Sequence, residues 1–383
     1  MGESFLFSLP PEIFFGIESG KKTGEKVRKL GSKGLVVTGK KAVKNYGILD
    51  ELTLSLRQAG LSWSLFDQVE AEPSLETVNR GVQAAKDAAC DWVLSLGGGS
   101  VLDCGKAIAG LVGNDERVEP YFRGEKTLSR AGVPWIALPT TAGTGSEMTR
   151  NAVLTDYKNN IKKSFRSPYL IARLVVIDPT YTRFLSPYLT ATSGVDSLVQ
   201  AIEAYISPRT NPISQILSLE AIRTIWQELP LVVKKGDDLS RRESMAKGSM
   251  LSAMAFANAS SSPAHGLAHI VGPLFSVTHG EACGIFLPWI IRWNSPLLAE
   301  EYAQIARAVG IKGEVGSELA EKLAAAFEDL LEKVGLATRL RQLGIKQDQL
   351  AGIIQPEKIG RSIRENPRPL EEEDLYSILN QAW

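Results

Sequence analysis

The sequence predicts two domains of different class, an α/β domain with a parallel sheet followed by an all-helical domain. Up to about residue 185, short apolar runs of strand length alternate with amphipathic helical stretches, which is typical of a parallel sheet covered by helices on both faces. Beyond that point the strand-like alternation ends, and prolines lie near the ends of successive helical stretches. The chain has 383 residues, enough for two domains, which we place at 1–185 and 186–383.

Each element follows from a local pattern. The predicted strands are rich in Val, Ile, Leu, Trp or Phe and are bounded by Gly, Pro or Asp; they cover 34–38, 62–67, 92–97, 134–139 and 173–178. Helical spacing with charges on the outer face predicts helices between these strands over 46–59 and 74–89. The predicted helices of the second domain cover 194–207, 212–229, 240–259, 298–309, 316–334 and 371–382.

Composition excludes several classes of protein. Lys plus Arg and Asp plus Glu both number 43, so the chain lacks the overall basic charge of a nucleic-acid binder. A hydrophobic content of 44% excludes a disordered chain, and three cysteines are too few for a disulfide scaffold. No run approaches the roughly 18 apolar residues of a membrane helix. We therefore expect a cytoplasmic protein with neither nucleic acid nor membrane as a partner.

Two loops rich in small and hydroxyl residues follow predicted strands. The first, GGGS at 97–100, leads into a helix, where free N–H groups and the helix dipole favour a pyrophosphate. It differs from the G-x-G-x-x-G fingerprint, and an ordinary strand–helix turn also needs small residues. The second, LPTTAGTGSE at 138–147, offers hydroxyl and backbone donors at the end of a strand. Two such loops after strands of one sheet favour a ligand site over two ordinary turns.

The histidines are confined to one short segment. His265, His269 and His279 are the three histidines of the chain, and the first two share a helix face because their spacing is i,i+4. Imidazole suits Fe, Zn, Ni and Cu, and such sites usually add a carboxylate. Asp196 supplies one on an otherwise apolar helix face, four residues before Gln200. The pattern predicts a metal or catalytic cluster.

These motifs, in this order and spacing, resemble the iron-containing (group III) alcohol dehydrogenase family. The resemblance covers essentially the whole chain and also includes LPPEIFFG near the beginning, IDP at 177–179, LTATSGVDSLVQAIEAYIS and HGLAHIVGPLFSVTHG. It implies a dehydroquinate synthase-like architecture, with a Rossmann-like dinucleotide-binding domain, a helical metal-binding domain and the active site in the cleft between them. It also implies NAD(P)-dependent hydride transfer between a small alcohol and its aldehyde or ketone, in a homodimer.

The resemblance assigns the metal site residue by residue. Asp196, His265 and His279 match three family ligands of a divalent metal, Fe²⁺ or Zn²⁺. Gln200 occupies the remaining ligand position, where the family usually has His. An amide oxygen lacks the affinity of imidazole for these ions, so we expect weakened binding. His269 matches a family histidine beside the nicotinamide and the reacting carbon, and is the predicted catalytic residue.

The cofactor, NAD or NADP, is assigned in the same way. The residues matched to the family's cofactor loops are Gly98, Gly99, Ser100 and Asp103 at the pyrophosphate, Thr140, Thr141 and Thr144 in the second loop, and Lys162 beside the cofactor. Gly39 stands where NAD-preferring members commonly have Asp, and Lys40 and Lys41 follow it. We therefore expect NADP to be accepted at least as well as NAD, although Glu72 opposes this if it lies near the adenosine.

Other functions stay open at this point. Within the same superfamily, the chain resembles polyol dehydrogenases of the glycerol dehydrogenase type and metal-independent reductases such as maleylacetate reductase. A different class is a lyase similar to dehydroquinate synthase. The departure at Gln200 leaves room for a non-catalytic descendant that binds nucleotide without turnover. Turnover of simple alcohols with NAD(P) would distinguish an alcohol dehydrogenase from a lyase and from a non-catalytic nucleotide-binding protein.

Overall fold

The computed structural model describes residues 4–114, 117–159, 161–260, 263–355 and 359–383. The chain divides into two compact units. One unit consists of Leu9–Thr141 and Gly145–Phe184 and contains the parallel sheet. The other consists of residues 4–8, Ala142–Thr144 and Leu185–Trp383 and is helical. The predicted fold class, an α/β domain and an all-helical domain, is confirmed.

The α/β unit is built on a six-stranded sheet in which every neighbouring pair of strands is parallel. Its strands are β1 (Ile13–Phe15), β2 (Lys33–Gly39), β3 (Ser62–Val69), β4 (Trp92–Gly97), β5 (Trp135–Pro139) and β8 (Leu174–Ile177). They lie in the order β1-β8-β5-β4-β2-β3. Two further strands, β6 (Asn151–Asp156) and β7 (Ile161–Arg166), form a separate antiparallel pair.

Burial on both faces explains why the central strands are almost continuously apolar. Every residue of β4 and of β5 is buried, which is expected where helices cover both sides of a parallel sheet. The helices of this unit are α1 (Thr23–Val27), α2 (Ala42–Asn45), α3 (Ile48–Gln58), α4 (Leu75–Asp87), α5 (Gly99–Leu111) and α6 (Val118–Arg123). Helix α5 is the most deeply placed of them, because every residue from Val101 to Leu111 is buried.

The five predicted strands correspond to β2, β3, β4, β5 and β8, and the two predicted helices correspond to α3 and α4. The sequence did not predict β1, β6 and β7. Strand β1 has three residues, too few to show alternation, and lies at the edge of the sheet. Strand β7 reads IKKSFR and is largely polar, since only Phe165 is buried. A short or polar strand carries little local signal.

The helical unit contains α7 (Pro187–Ile206), α8 (Pro212–Lys234), α9 (Leu239–Phe256), α10 (Pro263–Phe275), α11 (His279–Ala308), α12 (Gly316–Lys333), α13 (Arg361–Arg364) and α14 (Glu372–Ala382). Helix α7 begins earlier than predicted, because the Ser186 side chain caps it by accepting from the Leu189 N–H. The helix predicted at 298–309 is the final part of α11, beyond a kink at Leu298. Among the described helices, none combines the length and apolarity needed to cross a bilayer.

A buried lysine ties α5 to the segment that follows β5. Lys106 is 0% exposed, and its ammonium donates to the Ser146 carbonyl at 2.8 Å, to the Thr149 hydroxyl at 3.0 Å and to the Asn151 carbonyl at 2.6 Å. The Asp103 carboxylate lies 3.6 Å away. Burial lowers the pKa of Lys106 to about 8, against the opposing effect of Asp103, so the side chain stays mostly cationic at neutral pH.

We predict that Lys106→Met lowers the free energy of unfolding by about 3–5 kcal/mol, because it leaves the Asp103 carboxylate buried without its cation. Lys86→Met, which removes an exposed lysine from α4, is the matched control and should change stability by less than about 0.5 kcal/mol. Chemical unfolding followed by circular dichroism measures both. Equal small losses in the two variants would contradict a stabilising role for the Lys106 ammonium.

Candidate functional site

Apart from Lys162, the residues predicted to bind the cofactor follow three neighbouring strands. Strand β4 pairs with β2 on one side and with β5 on the other, so the loops after all three strands meet at the carboxyl edge of the sheet. From β2 the chain runs to β3 on one side and then returns to β4 on the other. In open parallel sheets, ligands bind at such a topological switch point. The sheet order therefore favours a ligand site beside the ends of β2 and β4.

The loop after β4 is shaped for a phosphate group. A Cβ atom at Gly97 would approach the Val101 side chain to 2.7 Å, so only glycine fits there. Gly98 is the extended residue before α5, and the first turn of that helix has no acidic residue. The positive end of the helix dipole thus remains available to an anion. Thr141 lies beside this loop, since its side chain would be 3.4 Å from a Cβ at Gly98.

The structure distributes the remaining predicted cofactor residues as follows. Gly99 and Ser100 begin α5 beside Gly98, and the Thr140 N–H donates to the Gly97 carbonyl at 3.0 Å. Thr144 is exposed and belongs to the helical unit.

Asp103 lies deeper in α5, with both carboxylate oxygens already in use. One accepts from the Ser146 hydroxyl and the other from the Val153 N–H at 3.0 Å. These contacts indicate that Asp103 positions the neighbouring chain segment.

Lys162 is paired with an acidic residue. Its ammonium lies 2.6 Å from the Glu72 carboxylate, and the Glu72 N–H donates to the Ser100 hydroxyl at 3.3 Å. The Tyr157 hydroxyl donates to the Glu72 carbonyl at 3.0 Å. Lys162 therefore offsets the negative charge of Glu72 beside the loop that starts α5.

Two exposed lysines follow the end of β2. Gly39 pairs with Val69 after a register shift, and the two lysines that follow it are exposed. Among the described residues, neither Lys40 nor Lys41 has an ion-pair partner. A Cβ atom at Gly39 would lie 3.6 Å from the Val69 carbonyl oxygen, an ordinary contact, so the backbone tolerates a side chain there. The turn after β2 therefore carries two positive charges that no described ion pair neutralises.

In the helical unit, three helices bring the predicted metal ligands together. Asp196 of α7, His265 of α10 and His279 at the start of α11 meet, although up to 83 residues separate them in sequence. Oδ1 of Asp196 lies 3.5 Å from Nε2 of His265 and 3.6 Å from Nε2 of His279. Two ligands about 2.1 Å from one ion at a tetrahedral angle are about 3.4 Å apart. The observed spacing thus fits a shared metal ion better than direct hydrogen bonds.

Unsatisfied polar atoms point to the same conclusion. Asp196 and Gln200 are 3% and 2% exposed, and no hydrogen-bond donor among the described residues reaches Oδ1 of Asp196 or Oε1 of Gln200. Gln200 uses its Nε2 to donate to the Gly143 carbonyl at 3.2 Å, which leaves the oxygen as its available ligand atom. Such an atom costs about 1–3 kcal/mol when buried without a partner. A divalent cation beside the two imidazoles would satisfy Oδ1 of Asp196, and Oε1 of Gln200 is a further candidate ligand atom.

Glu203 orients His265. Its carboxylate is fully buried, and Oε2 lies 2.5 Å from Nδ1 of His265, while Oε1 accepts the Ala264 N–H at 3.0 Å. A carboxylate at Nδ1 directs Nε2 toward Asp196, as in carboxylate–histidine–metal arrangements. Burial by itself would lower the pKa of His265, but the carboxylates of Glu203 and Asp196 raise it to about 10. From the sequence, Glu203 could equally be a structural partner on the same helix, because its distance from His265 is set by tertiary packing.

His269 lies at the exposed side of this cluster. It follows His265 by one turn of α10, and its ring stacks on that of His279 with centroids 5.0 Å apart. His279 is itself partly open, with 31% of its side chain exposed. All three histidines therefore belong to one cluster, and two of them are open to solvent.

Sequence reasoning missed one member of the cluster. Cys283 is fully buried on α11, and its Sγ lies 3.7 Å from Nε2 of His279. The ligand atoms of Asp196, His265, His279 and Cys283 all lie within 4.8 Å of one another. The available signal was the i,i+4 spacing of His279 and Cys283, which places both on one helix face. A free cysteine is more often a small buried apolar residue, so this spacing alone does not identify a ligand.

Comparison with known proteins identifies the family of this chain. A family model described as iron-containing alcohol dehydrogenase matches residues 10–179, and a model of the C-terminal domain of the same family matches 190–383. The chain is 35% identical to 1,3-propanediol dehydrogenase of Klebsiella pneumoniae, over 99% of both chains. It is 32% identical to NADPH-dependent butanol dehydrogenase of Clostridium saccharobutylicum, over 98% of this chain and 97% of that one. A crystal structure of 1,3-propanediol oxidoreductase superimposes with a TM-score of 0.95 and 33% identity, covering 100% of both chains.

Proposed function

Since the chain belongs to the iron-containing alcohol dehydrogenase family, we propose that its substrates are small alcohols and aldehydes and that a divalent ion, Fe²⁺ or Zn²⁺, binds in the helical unit. As a member of that family, the chain is an oxidoreductase that uses a nicotinamide cofactor to interconvert an alcohol and its carbonyl product. Similarity to a 1,3-propanediol dehydrogenase and a butanol dehydrogenase supports short substrates. Formation of a homodimer and a cytoplasmic location stay predictions from the sequence.

One observation carries the metal proposal. The buried Oδ1 of Asp196 has no hydrogen-bond donor among the described residues, yet it lies at ligand-to-ligand distance from two imidazole nitrogens. Gln200 occupies the family's remaining ligand position, with Oε1 as its available ligand atom. The donor set of carboxylate and imidazole suits Fe²⁺ and Zn²⁺.

The chemistry divides between the bound groups and the chain. A bound divalent ion supplies Lewis-acid polarisation of the substrate oxygen, and a bound nicotinamide supplies hydride exchange with the reacting carbon. Asp196, His265 and His279 hold the ion, and Glu203 keeps His265 in the orientation that binding requires. His269, exposed beside His279, carries the alcohol proton to solvent. The loops after β4 and β5 hold the cofactor phosphates and ribose.

A polyol dehydrogenase of the glycerol dehydrogenase type is the second candidate. Similarity to the structure of 1,3-propanediol oxidoreductase supports a diol substrate as well as it supports a simple alcohol. The family assignment favours either dehydrogenase over a lyase. A panel of simple alcohols, diols, glycerol and their aldehydes, read by absorbance of the reduced nicotinamide, decides between the two.

We predict that His279→Ala lowers kcat/KM on the best substrate of that panel roughly 10³-fold, because several kcal/mol of charge stabilisation are lost with the ion. Gln200→His should tighten Fe²⁺ or Zn²⁺ binding by supplying the imidazole of the family pattern. Activity assays after chelation and metal reloading, with calorimetric titration of Zn²⁺, measure both effects. Full activity in the chelated protein and in His279→Ala would refute the metal assignment.

We predict that NADP is used at least as well as NAD. Lys40 and Lys41 stand without ion-pair partners among the described residues, and Glu72 is paired with Lys162. A charge-assisted contact with the 2′-phosphate contributes about 1–3 kcal/mol, which corresponds to a roughly tenfold to hundredfold preference. Gly39→Asp should shift the ratio of kcat/KM values toward NAD by a similar factor, because the carboxylate repels that phosphate.

Gln58→Asp is the matched control for this prediction. It adds the same charge at an exposed position at the end of α3. This position precedes the amino end of β3, whereas Gly39 lies at the carboxyl end of β2. The control should leave the cofactor ratio unchanged. A strong NAD preference that is the same in Gly39→Asp and in the parent chain would show that this loop does not set cofactor choice.

We predict that His269→Ala lowers kcat by about 10²-fold or more and alters its pH profile, while bound metal stays at the parent level. The physical reason is that a neutral imidazole passes a proton to solvent at neutral pH. His269→Gln, which keeps a hydrogen-bonding side chain of similar size, separates loss of the proton relay from loss of packing. Kinetics that match the parent across the pH range would eliminate the relay.

A further inference from the structure

The cysteine beside the histidine cluster has the position of a metal ligand. Cys283 follows His279 by one turn of α11 and is fully buried, and its Sγ lies 3.7 Å from Nε2 of His279. Cys90 and Cys104 are also buried, but among the described residues neither belongs to a group that could hold a metal. Burial alone therefore does not account for the environment of Cys283.

Three separations within the cluster agree with those of a tetrahedral ligand set. For a zinc-like ion with nitrogen or oxygen at about 2.1 Å and sulfur at about 2.3 Å, a sulfur and a nitrogen ligand lie about 3.6 Å apart. The observed separation of Cys283 Sγ from His279 Nε2 is 3.7 Å, and Asp196 Oδ1 lies 3.5 and 3.6 Å from the two imidazoles. The orphaned Oδ1 of Asp196 is a second, independent sign that a cation belongs at this point.

The competing donor is weaker. Gln200 offers a neutral amide oxygen, and its nitrogen is held by the Gly143 carbonyl at 3.2 Å. Thiolate is a far better ligand than an amide oxygen for Zn²⁺ and similar ions. We propose that Cys283 Sγ, rather than Gln200 Oε1, completes the protein ligands of the divalent ion together with Asp196, His265 and His279.

This inference rests on the proposed metal site. It implies that binding of the ion releases one proton from Cys283. The Sγ–H bond breaks as the bond from Sγ to the ion forms, and the proton leaves to solvent. A thiolate ligand shifts the preference of the site toward Zn²⁺ and away from harder ions such as Mg²⁺. Loss of an outer-shell partner already lowers metal affinity about 10- to 100-fold, so Cys283→Ser should weaken Zn²⁺ binding at least about tenfold.

The test uses the full chain, freed of metal by chelation and titrated with Co²⁺ as the probe. We expect one bound Co²⁺ with visible ligand-field absorption and a near-ultraviolet thiolate-to-cobalt charge-transfer band. The band should disappear in Cys283→Ser and in Cys283→Ala, and persist in Gln200→Ala. Cys104→Ser, which alters an equally buried cysteine of α5, is the matched control and should keep the band. Thermal unfolding of each metal-free variant verifies that it folds.

The outcomes separate the two proposals. Visible absorption that depends on His279, without a charge-transfer band or with one that survives Cys283→Ser, overturns the ligand role of Cys283 and leaves the metal site intact. Failure of the parent chain to bind Co²⁺ or Zn²⁺ overturns both. A band that is lost only in the Cys283 variants supports the thiolate ligand.

Discussion

The helical unit depends on the burial of two carboxylates on one apolar helix. Asp196 and Glu203 both lie on α7, whose residues from Val195 to Ile206 are all buried. An uncompensated carboxylate in such surroundings costs several kcal/mol, so each needs a partner. His265 contacts Glu203 through Nδ1, and its Nε2 lies 3.5 Å from Oδ1 of Asp196. The packing of α10 against α7 and the orientation of this imidazole are therefore determined together.

Two clusters of buried charged and polar residues, one around Lys106 and one around Asp196, differ in how well their hydrogen bonds are satisfied. In the α/β unit, the Lys106 ammonium and the Asp103 carboxylate have hydrogen-bond partners from the segment after β5. In the helical unit, Oδ1 of Asp196 and Oε1 of Gln200 have no donor among the described residues. Native proteins leave few buried polar atoms unsatisfied, and the exceptions call for an explanation such as a bound ion. The cluster around Lys106 has its polar atoms paired within the protein, and the cluster around Asp196 is where we propose that the ion binds.

Much of the fold and part of the site could be predicted from sequence because their signals are local. Strands β4 and β5 are continuous apolar runs, and the loops after them carry small and hydroxyl residues. The histidines drew attention because all three fall in one segment. The signal was absent for β1, which is too short to alternate, and for β7, which is largely polar. Glu203 and Cys283 were not assigned to the site, because their distances to the histidines depend on how α7, α10 and α11 pack.

The sequence by itself determined the class of each unit, the family, the two candidate cofactor loops and the departure at Gln200, since each depends on residue type and local spacing. Only the tertiary structure decided which donors face one another. It placed a carboxylate on each side of His265, set Gln200 against the Gly143 carbonyl and brought Cys283 beside His279. The physical reason is that metal ligation and hydrogen bonding depend on separations of a few ångströms between side chains distant in sequence. Those separations are fixed by packing of the helical core, which no local pattern encodes.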